Sequence, residues 1–333
     1  MKTREIRLER VPPGVPCESD FEIRETTIDA LRPGQVLVKN TFLSIDPYTR
    51  NRMKSVLKPD DLIPGRCVGE VIQSMNTAFH PGQKVLSACG WREHFVAQSA
   101  DLQVLDGALG PLQLYLGIAG SPGLTAYVGL LDYGRPRPGE TVFISAAGGA
   151  VGSLASQIAK FSDCKVIACA GSADKVAWLT EVAGVTAAIN YRDVPDLSAE
   201  VARLCPEGID VLFETVGDQK FDALIGHMRP HGRIVLVGLI GRMNDAVSKP
   251  GLTNLEAILM NRLTIHGFGV NDHMGRMPEF RAVLKRWIAE RRVAWRETIV
   301  DDISNAPNAF IGLFSGENFG KMLVRLDPTA EAA

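Results

Sequence analysis

The sequence predicts an α/β protein in which a doubly wound parallel sheet is joined to a second domain of short strands. Three observations predict this class. Between residues 125 and 238, β-branched runs alternate with runs of helical periodicity, as is typical of βαβ units. The small residues of AAGGAVG (146–152) lie where one such strand becomes a helix. Residues 1–119 contain short apolar runs broken by proline and glycine, and short strands return after about residue 292.

Composition and charge narrow the class of protein further. The chain has 333 residues, of which 46% are hydrophobic and 22% charged, values typical of an ordinary globular chain of two domains. Its formal net charge of −2 argues against binding to nucleic acid. The charged start MKTREIRLERVPP lacks the apolar core of a secretory signal. No apolar run reaches the length of about 18 residues that spans a membrane.

The cysteines favour a reducing compartment. All six are scattered, with no CxxC pair and no histidine at metal-ligand spacing beside one. This pattern is typical of reduced cysteines in a cytoplasmic protein. We therefore expect a cytoplasmic protein with no membrane partner, no nucleic-acid partner and no metal site.

The first domain is predicted to be rich in β-structure. Its strands include VLVKNTFLSI (36–45), CVGEVIQSM (67–75) and QKVLSACGW (83–91). The turn sequence PGQ occurs at 33–35 and at 81–83, each time just before such a strand. Proline and glycine there mark turns that lead into strands.

The second domain is predicted to begin with a helix at TAYVGLLDYG (125–134), with Gly134 as its left-handed terminal residue. The alternation that follows consists of TVFIS, AVGSLASQIAKF, KVIACA, DKVAWLTEVA, AAIN, a helix near 198–204, DVLFETV, FDALIGHM and RIVLVG. The last part of the chain returns to short strands, ETIV and KMLVRL, with a helix near 306–314 between them. We place one domain at 1–119 with 293–333, and the other at 120–292.

The glycine cluster predicts a dinucleotide site. Gly149 and Gly152 lie three residues apart at the helix start, and Ala147 takes the place of the first glycine of the Rossmann fingerprint. Gly149 lets the backbone approach a pyrophosphate, and Gly152 lets the helix pack closely on the strand. The helix N-terminus attracts phosphate, so we include Ala150 and Val151 among the contacts. The alternative is a tight strand–helix turn that binds no ligand.

The end of the next strand favours NADP(H). NAD-binding proteins usually place a carboxylate there for the ribose 2′-hydroxyl, but this chain has Ala170, Gly171 and Ser172, followed by Lys175. A hydroxyl and an ammonium suit a 2′-phosphate instead. The alternative is that Ser172 only caps the next helix and Lys175 is solvated. Asp174 is expected in the first turn of that helix.

Five motifs carry a family resemblance that extends over nearly the whole chain. They are FLSIDPYTR (42–50), GSPGLTAYVGLLD (120–132), SAAGGAVGSLASQIAK (145–160), INYRD (189–193) and GENFGK (316–321). The chain resembles the zinc-independent medium-chain dehydrogenase/reductases, in the branch of the leukotriene B4 12-hydroxydehydrogenase / prostaglandin reductases and double-bond reductases. The resemblance implies a GroES-like, partly open β-barrel domain joined to a Rossmann domain, with cofactor and substrate meeting between them. It also implies a homodimer.

The function implied by the resemblance is NADPH-dependent reduction of the C=C bond of α,β-unsaturated ketones or aldehydes. Hydride goes to the β-carbon, and no metal takes part. The resemblance places Lys175 and Tyr191 at the adenosine phosphate. It places these residues near the nicotinamide half: Thr125, Val216, Phe268, Val270 and Asn318.

The zinc ligands of the superfamily are not found at the matching positions. Zinc members carry a His-Glu pair after a Pro-Gly turn, where this chain reads PGRCVGE with Arg66 and Cys67. The four-cysteine structural loop is also missing from the sequence. Cys67 is better interpreted as a small buried hydrophobe. Without a Lewis acid to form an alkoxide, conjugate reduction is favoured over alcohol oxidation.

The group that would stabilise the enolate is not the usual one. The branch commonly has a Tyr-Asn pair where this chain has Met243 and Asn244, and a thioether cannot donate a hydrogen bond. We name Tyr48 as the candidate donor, with the nicotinamide ribose 2′-hydroxyl as an alternative. Tyr48 is otherwise a packed aromatic with its hydroxyl bonded to backbone. Met243 and Asn244 are assigned to the substrate pocket, and Arg50 either orients a polar substrate there or is a solvated strand residue.

Two other functions stay open from the sequence. A quinone reductase of the same superfamily shares the fold and lacks zinc. A non-catalytic NADPH-binding protein is the other alternative, because Met243 replaces the usual donor.

Overall fold

The computed structural model describes residues 1–245 and 253–329. The chain forms two compact units. Unit 1 consists of Met1–Gly117 and the chain from Glu297 onward, and unit 2 is Ile118–Arg296. Within the described ranges, no helix combines the length and the apolar character that crossing a bilayer requires.

The strands and helices of the described residues have the following bounds. The strands are β1 (Lys2–Leu8), β2 (Phe21–Thr27), β3 (Gln35–Ser44), β4 (Cys67–Ser74), β5 (Lys84–Ser87), β6 (His94–Gln98), β7 (Leu102–Val104), β8 (Thr141–Ile144), β9 (Lys165–Ala170), β10 (Ala187–Asn190), β11 (Ile209–Glu214), β12 (Met228–Leu236), β13 (Thr264–Gly267), β14 (Glu297–Asp301) and β15 (Lys321–Arg325). The α-helices are α1 (Tyr48–Ser55), α2 (Ser121–Val128), α3 (Gly152–Phe161), α4 (Ala173–Glu181), α5 (Leu197–Leu204), α6 (Gln219–Ile225), α7 (Leu255–Met260), α8 (Met277–Ala289) and α9 (Ala306–Ser315).

Unit 1 is built on a mostly antiparallel sheet. Its strands follow the order β14-β15-β3-β4-β5-β7, and β6 pairs with β3. Only β14 and β15 pair in parallel among these strands. The core beside the sheet contains a cluster of three aromatic rings. Trp91 stacks on Phe21 at 6.3 Å between ring centroids, and Phe310 meets both rings edge-on.

Unit 2 is a doubly wound parallel sheet. Its strands follow the order β10-β9-β8-β11-β12-β13, all parallel. Numbered within the unit, this is the order 3-2-1-4-5-6 of a Rossmann fold, which reverses between its first and fourth strands. The predicted class is confirmed. Ligands of such sheets bind at the carboxyl ends of the strands beside this reversal, here β8 and β11.

The predicted helix over 125–134 differs from the structure at both ends. Helix α2 begins at Ser121 and is followed by one π-helical turn, Gly129–Gly134. The left-handed residue is Arg135, with φ 46°, and its N–H donates to the Leu130 carbonyl at 2.8 Å. The wider π turn holds one more residue than an α turn, so the reversal falls one residue after the predicted Gly134.

Two other segments change their predicted type. Met228 begins strand β12 instead of ending the preceding helix, which stops at Ile225. The strand β3 ends at Ser44, and α1 starts at Tyr48 directly after Pro47. Proline fixes its own φ near −65°, which suits the start of a helix. Tyr48 is therefore a helical residue.

Candidate functional site

The fingerprint loop of unit 2 is a tight turn between β8 and α3. Ala146 adopts φ 43°, in the left-handed region that non-glycine residues seldom occupy. The Gly149 N–H donates to the Ala146 carbonyl at 3.0 Å, and the Ala147 N–H donates to the Cys169 carbonyl at 2.8 Å. These bonds close the turn and attach it to the end of β9.

The glycines of this loop have little room for side chains. A Cβ on Gly152 would lie 2.6 Å from the Ala146 carbonyl oxygen and 2.8 Å from the Ala147 Cα. A Cβ on Gly149 would lie 3.2 Å from the same oxygen. Helix α3 therefore begins directly on loop backbone. The Ser153 N–H donates to the Gly149 carbonyl at 3.1 Å, and the first N–H groups of a helix generally lack intrahelical partners. This bare cradle fits the pyrophosphate of a dinucleotide.

Next to the loop, Ser172 and Lys175 lie at the start of α4. Ser172 occupies the N-cap position with extended backbone, but its hydroxyl makes no capping hydrogen bond. Ser172 thus takes the N-cap position that the alternative interpretation gave it, while its hydroxyl makes no capping bond. The Lys175 Cδ lies 2.8 Å from the position that a Cβ on Gly148 would occupy. Burial, and then the charge of Arg192, lower the pKa of Lys175. Asp174 is exposed in the first helical turn, as predicted.

Tyr191 lies at the centre of a cationic group. Its N–H donates to the Ala170 carbonyl at 3.1 Å, and its hydroxyl oxygen lies 2.8 Å from the position of a Gly171 Cβ. The Arg192 guanidinium carbon is 5.8 Å from the Tyr191 ring centroid, and the Lys220 Nζ is 4.9 Å from it. A cation placed over the face of an aromatic ring is attracted by the electrons of the ring, which is a cation–π interaction.

Arg192 and Lys220 are functional candidates that the sequence reasoning missed. Arg192 stands inside the INYRD motif beside Tyr191, which was a usable signal. Lys220 lies on α6 and also forms an ion pair of 3.1 Å with Asp218, so only the tertiary structure brings it to Tyr191. With Lys175, these cations fit a doubly charged phosphate.

Glu214 ends β11 at the reversal of the sheet. It is buried, and its Oε1 accepts hydrogen bonds from the N–H groups of Val216 (2.6 Å) and Gly217 (2.7 Å). The Ser145 hydroxyl oxygen accepts from the Thr215 N–H at 2.8 Å. Burial raises the pKa of Glu214 to about 7. The sequence reasoning missed this carboxyl, although a glutamate that ends the apolar run VLFE was a signal.

The residues predicted at the nicotinamide half lie in several elements. In unit 2, Thr125 is half-buried on α2 and donates its hydroxyl to the Ser121 carbonyl at 2.8 Å. Val216 is half-buried after β11. Phe268 follows β13 and stacks on Tyr133 at 5.1 Å between centroids. The other two candidates are Val270, at the start of a 3₁₀ turn in unit 2, and Asn318, in unit 1.

Tyr48 and Asn318 are the candidates of unit 1. The Tyr48 hydroxyl makes no hydrogen bond with any residue that the structure describes, although the residue is 40% exposed. The alternative that its hydroxyl bonds to backbone is therefore wrong. Although the ring is partly exposed, desolvation of the phenol and the charge of Asp46 raise the pKa of Tyr48. The Asn318 amide donates to the Gly320 carbonyl at 2.8 Å.

Arg50 is fully buried on α1. Its Nη2 donates to the carbonyls of Pro12 (2.9 Å) and Gly14 (2.8 Å). The interpretation as a solvated strand residue is wrong, because the guanidinium turns inward to satisfy a loop more than thirty residues away in sequence. This contact supports a structural role for Arg50.

Met243 and Asn244 follow the short 3₁₀ turn Ile240–Arg242 in unit 2. Both are half-buried. The turn itself is joined to the loop after β11, because the Gly241 N–H donates to the Val216 carbonyl at 2.9 Å. This bond places the Met243 segment next to a predicted nicotinamide contact.

At the positions of the superfamily's His-Glu pair, this chain has Arg66 and Cys67. Cys67 is a core residue whose Sγ lies 3.0 Å from the Ser87 Oγ, which confirms its interpretation as a buried hydrophobe. Burial raises the pKa of this thiol to about 11. Within residues 1–245 and 253–329, no three His, Cys, Asp or Glu side chains are grouped to hold a metal ion.

Comparison with known proteins identifies the family. A family model described as the N-terminal domain of oxidoreductase matches residues 4–105, and one described as zinc-binding dehydrogenase matches residues 150–289. Prostaglandin reductase 1 of Bos taurus is 39% identical over 317 residues, which cover 94% of this chain and 95% of that protein. The chain belongs to the medium-chain dehydrogenase/reductases, in their double-bond reductase branch.

Two other members of this branch support the assignment. The NADP(+)-dependent 2-alkenal reductase of Nicotiana tabacum is 37% identical over 335 residues, covering 97% of each chain. The crystal structure of CurA in complex with NADPH, from Vibrio vulnificus, has a TM-score of 0.90 and 35% identity, covering 97% of this chain and 99% of that one. The predicted resemblance and the GroES-like plus Rossmann fold are confirmed.

Proposed function

We propose that this protein is an NADPH-dependent reductase of the C=C bond in α,β-unsaturated ketones or aldehydes. The observation that carries the proposal is the bare backbone cradle at Gly149 and Gly152 beside the cationic group around Tyr191. Its relatives are named a prostaglandin reductase and an NADP(+)-dependent 2-alkenal reductase, which supports this substrate class.

The cofactor would be held mainly by unit 2. The fingerprint loop and the α3 N-terminus would bind the pyrophosphate, with contacts from Ala147, Gly149, Ala150, Val151 and Gly152. Gly171, Ser172, Lys175 and Tyr191, with Arg192, would hold the 2′-phosphate. Thr125, Val216, Phe268, Val270 and Asn318 would surround the nicotinamide half. When bound, NADPH supplies a hydride to the substrate's β-carbon.

The residues of the chain must stabilise the charge that develops on the substrate's carbonyl oxygen. A hydrogen-bond donor aimed at that oxygen lowers the barrier. Tyr48 is the proposed donor, because a phenol is protonated at neutral pH and its hydroxyl makes no hydrogen bond with the described residues. The thioether of Met243 cannot serve. Met243 and Asn244 would instead line the substrate pocket, and the nicotinamide ribose 2′-hydroxyl is the alternative donor.

We propose that the reaction needs no zinc. Where zinc members have their His-Glu pair, Arg66 offers a cation, and the Cys67 thiol is packed in the core against Ser87. A guanidinium has no lone pair to coordinate a metal. This side-chain set favours conjugate reduction over alcohol chemistry.

A homodimer is proposed from the edge of the unit 2 sheet at β13, beside which no further strand lies among residues 1–245 and 253–329. Strand β13 is the last in the sheet order, and its Ile265 is 39% exposed. Helix α7 packs Ala257 and Ile258 on the core, while Leu255, Leu259 and Met260 are exposed. An unpaired strand edge beside exposed apolar residues favours association. A cytoplasmic location is supported by six cysteines that are all free.

The test is a substrate panel followed by NADPH absorbance. We expect oxidation with an aliphatic alkenone and an alkenal, none with their saturated counterparts, and at least about tenfold preference for NADPH over NADH, equivalent to about 1.4 kcal/mol. Faster turnover of a simple quinone would favour the quinone reductase. NADPH binding without oxidation by any enone would favour the non-catalytic alternative.

A further inference from the structure

Lys321 is a buried cation that begins strand β15, which lies between β14 and β3 in the sheet of unit 1. It is 4% exposed. The antiparallel register that pairs Leu323 with Ser44 places Lys321 opposite Asp46, and the parallel register pairs it with Glu297. The Lys321 Nζ lies 3.1 Å from the Asp46 Oδ1. The ammonium thus pairs with the Asp46 carboxylate, and the charge of Glu297 on the neighbouring strand also acts on it.

The ammonium also satisfies backbone at this point. Its Nζ donates to the Ile45 carbonyl at 2.6 Å and to the Met322 carbonyl at 2.9 Å. With the Asp46 carboxylate, these acceptors match the three donors of a lysine. The Asp46 Oδ2 accepts a hydrogen bond from the Ser44 hydroxyl. The corner that joins β3 to α1 is therefore held by charged and neutral hydrogen bonds together.

This corner carries the proposed donor. Asp46 is followed by Pro47 and then by Tyr48, the first residue of α1. Lys321 itself follows Gly320, whose carbonyl accepts from the Asn318 amide at 2.8 Å. A single ammonium thus connects the two segments of unit 1 that bear Tyr48 and Asn318.

Burying an ammonium group costs desolvation free energy. A protein in which apolar residues of similar volume replace a buried ion pair is often equally stable. The Lys321 stem packs beside Gly117, where an added Cβ would lie 3.4 Å from the Lys321 Cβ. Glu297 has its Oε1 buried with no hydrogen-bond partner among the described residues. What an apolar residue could not replace is the donor to the carbonyls of Ile45 and Met322, so the lysine ties this corner together.

We infer that Lys321 is a positioning residue for the reduction, whose ammonium fixes the Asp46–Pro47–Tyr48 corner so that the Tyr48 hydroxyl is presented to the substrate's carbonyl oxygen. The inference rests on the proposed function, because it takes Tyr48 as the donor. Lys321 acts through Asp46 and the Ile45 carbonyl and does not itself touch the substrate.

A matched ion pair of the same unit provides the control. Lys39 on β3 pairs with Asp327 at 2.8 Å, and its side chain is 42% exposed. Lys39 has the same chemistry and joins the same strand to the C-terminal segment, but it has no contact with the Tyr48 corner. Lys39→Met should change kcat by less than about twofold, as expected for an exposed pair.

The first experiment is a double-mutant cycle on the full-length protein with NADPH and an alkenone. Tyr48→Phe removes the donor, and we expect kcat to fall about a hundredfold. Lys321→Met should lower kcat at least about tenfold by misplacing that donor, with the KM for NADPH unchanged. In the Tyr48→Phe background, Lys321→Met should cost less than about threefold more. Equal losses in both backgrounds would overturn the inference.

The second experiment needs no activity. The chain has only five tyrosines, so ¹³Cζ-tyrosine NMR resolves them, and Tyr48→Phe assigns the Tyr48 signal. Lys321→Met should move the Tyr48 signal, whereas Lys39→Met should leave it in place. An unmoved Tyr48 signal would overturn the inference even in a protein with full activity. A wild-type protein that reduces no enone while Lys321→Met moves the signal would instead contradict the proposed function.

The pKa of the Tyr48 phenol gives an additional readout, because the charge of Asp46 acts on it. The groups whose charges act on Tyr48 are Asp46, Arg66, Arg52 and Cys67, of which Asp46 has the largest effect and raises the pKa. Asp46→Asn should therefore lower the phenol pKa in the same spectra. If Lys321→Met fails to fold, the pair Asp46→Asn with Lys321→Met removes both charges and avoids an unpaired buried charge. That double variant should lower kcat at least about tenfold as well, and wild-type kcat in it would overturn the inference.

Discussion

The carbonyl oxygen of Ala146 lies 2.6 Å from the point that a Cβ of Gly152 would occupy. The oxygen is a backbone atom and a Cβ is held rigidly by its own backbone, so neither can move aside as the end of a flexible side chain would. Helix α3 can therefore start on this loop only at a glycine. Gly149, Ala150 and Val151 of this loop are half-buried and follow the carboxyl end of β8, where a dinucleotide binds in such sheets.

Gly152→Ala should destabilise the fold, whereas Gly149→Ala should mainly weaken cofactor binding. The first change forces the helix away from the loop, at a cost of about 1–3 kcal/mol. The second places its Cβ 3.2 Å from the Ala146 oxygen, which a small shift relieves. Urea unfolding and NADPH fluorescence titration separate the two effects. Gly275→Ala is the control, because nothing lies within 4 Å of its Cβ position. Unchanged NADPH affinity in Gly149→Ala would contradict the pyrophosphate assignment.

Lys175→Met should reduce the preference for NADPH. The ammonium is held half-buried near Arg192, where a 2′-phosphate would neutralise both charges. Steady-state kinetics should give a KM for NADPH about tenfold higher, as for the loss of one charge-assisted contact, with the KM for NADH unchanged. The exposed Lys285 on α8 provides a lysine-to-methionine control. Equal effects on both cofactors would argue against a 2′-phosphate contact.

Glu214→Gln should remove a pH dependence of stability. Glu214 has an ordinary pKa of 4.5 when unfolded, and burial raises it to about 7 in the fold. Between these values the folded protein keeps a proton that the unfolded chain releases, so stability falls as the pH rises through this window. Since each pKa unit is worth about 1.4 kcal/mol, the fall is about 3 kcal/mol.

The measurement is the free energy of unfolding in urea at pH 5 and pH 8 for both proteins. The glutamine oxygen still accepts from Val216 and Gly217, so the variant keeps the loop. Glu297, whose pKa burial also raises to about 7, is present in both proteins and cancels in the difference. The exposed Glu181 supplies a glutamate-to-glutamine control. Parallel pH profiles for wild type and Glu214→Gln would contradict the prediction.

Ile265→Glu should convert the proposed dimer into a monomer. A charge on the edge strand β13 opposes pairing with a second copy. Sedimentation velocity at several protein concentrations measures the change. Val182→Glu is the control, because Val182 is 51% exposed at the end of α4, on the side of β10 at the other edge of the sheet. A wild-type protein that sediments as a monomer would contradict the proposal.

In parts of the Rossmann unit, the local sequence pattern predicted the first and last residues of the strands correctly. The strands KVIACA and AAIN coincide with β9 and β10. Strand β9 lies inside the sheet, so its apolar run is set by burial on both faces, whereas β10 is an edge strand that is only half-buried. The fingerprint glycines were also readable, because the tight turn and the close helix each exclude a side chain.

Contacts between distant segments were not readable. Arg50 looks like an ordinary charged residue in SIDPYTR, and only the carbonyls of Pro12 and Gly14 explain its burial. Lys220 on α6 lies over the Tyr191 ring, a contact between segments that a list of elements does not predict. The left-handed Arg135 depends on a π turn that no residue preference announces.

The most direct test of the account is the fate of deuterium from stereospecifically labelled NADPD. An alkenone is reduced with each label in turn, and the product is analysed by mass spectrometry and NMR. We predict a saturated ketone with one deuterium at the former β-carbon, from one of the two labels only. An allylic alcohol with deuterium at the former carbonyl carbon, or oxidation of NADPD with no deuterium in the product, would contradict the account.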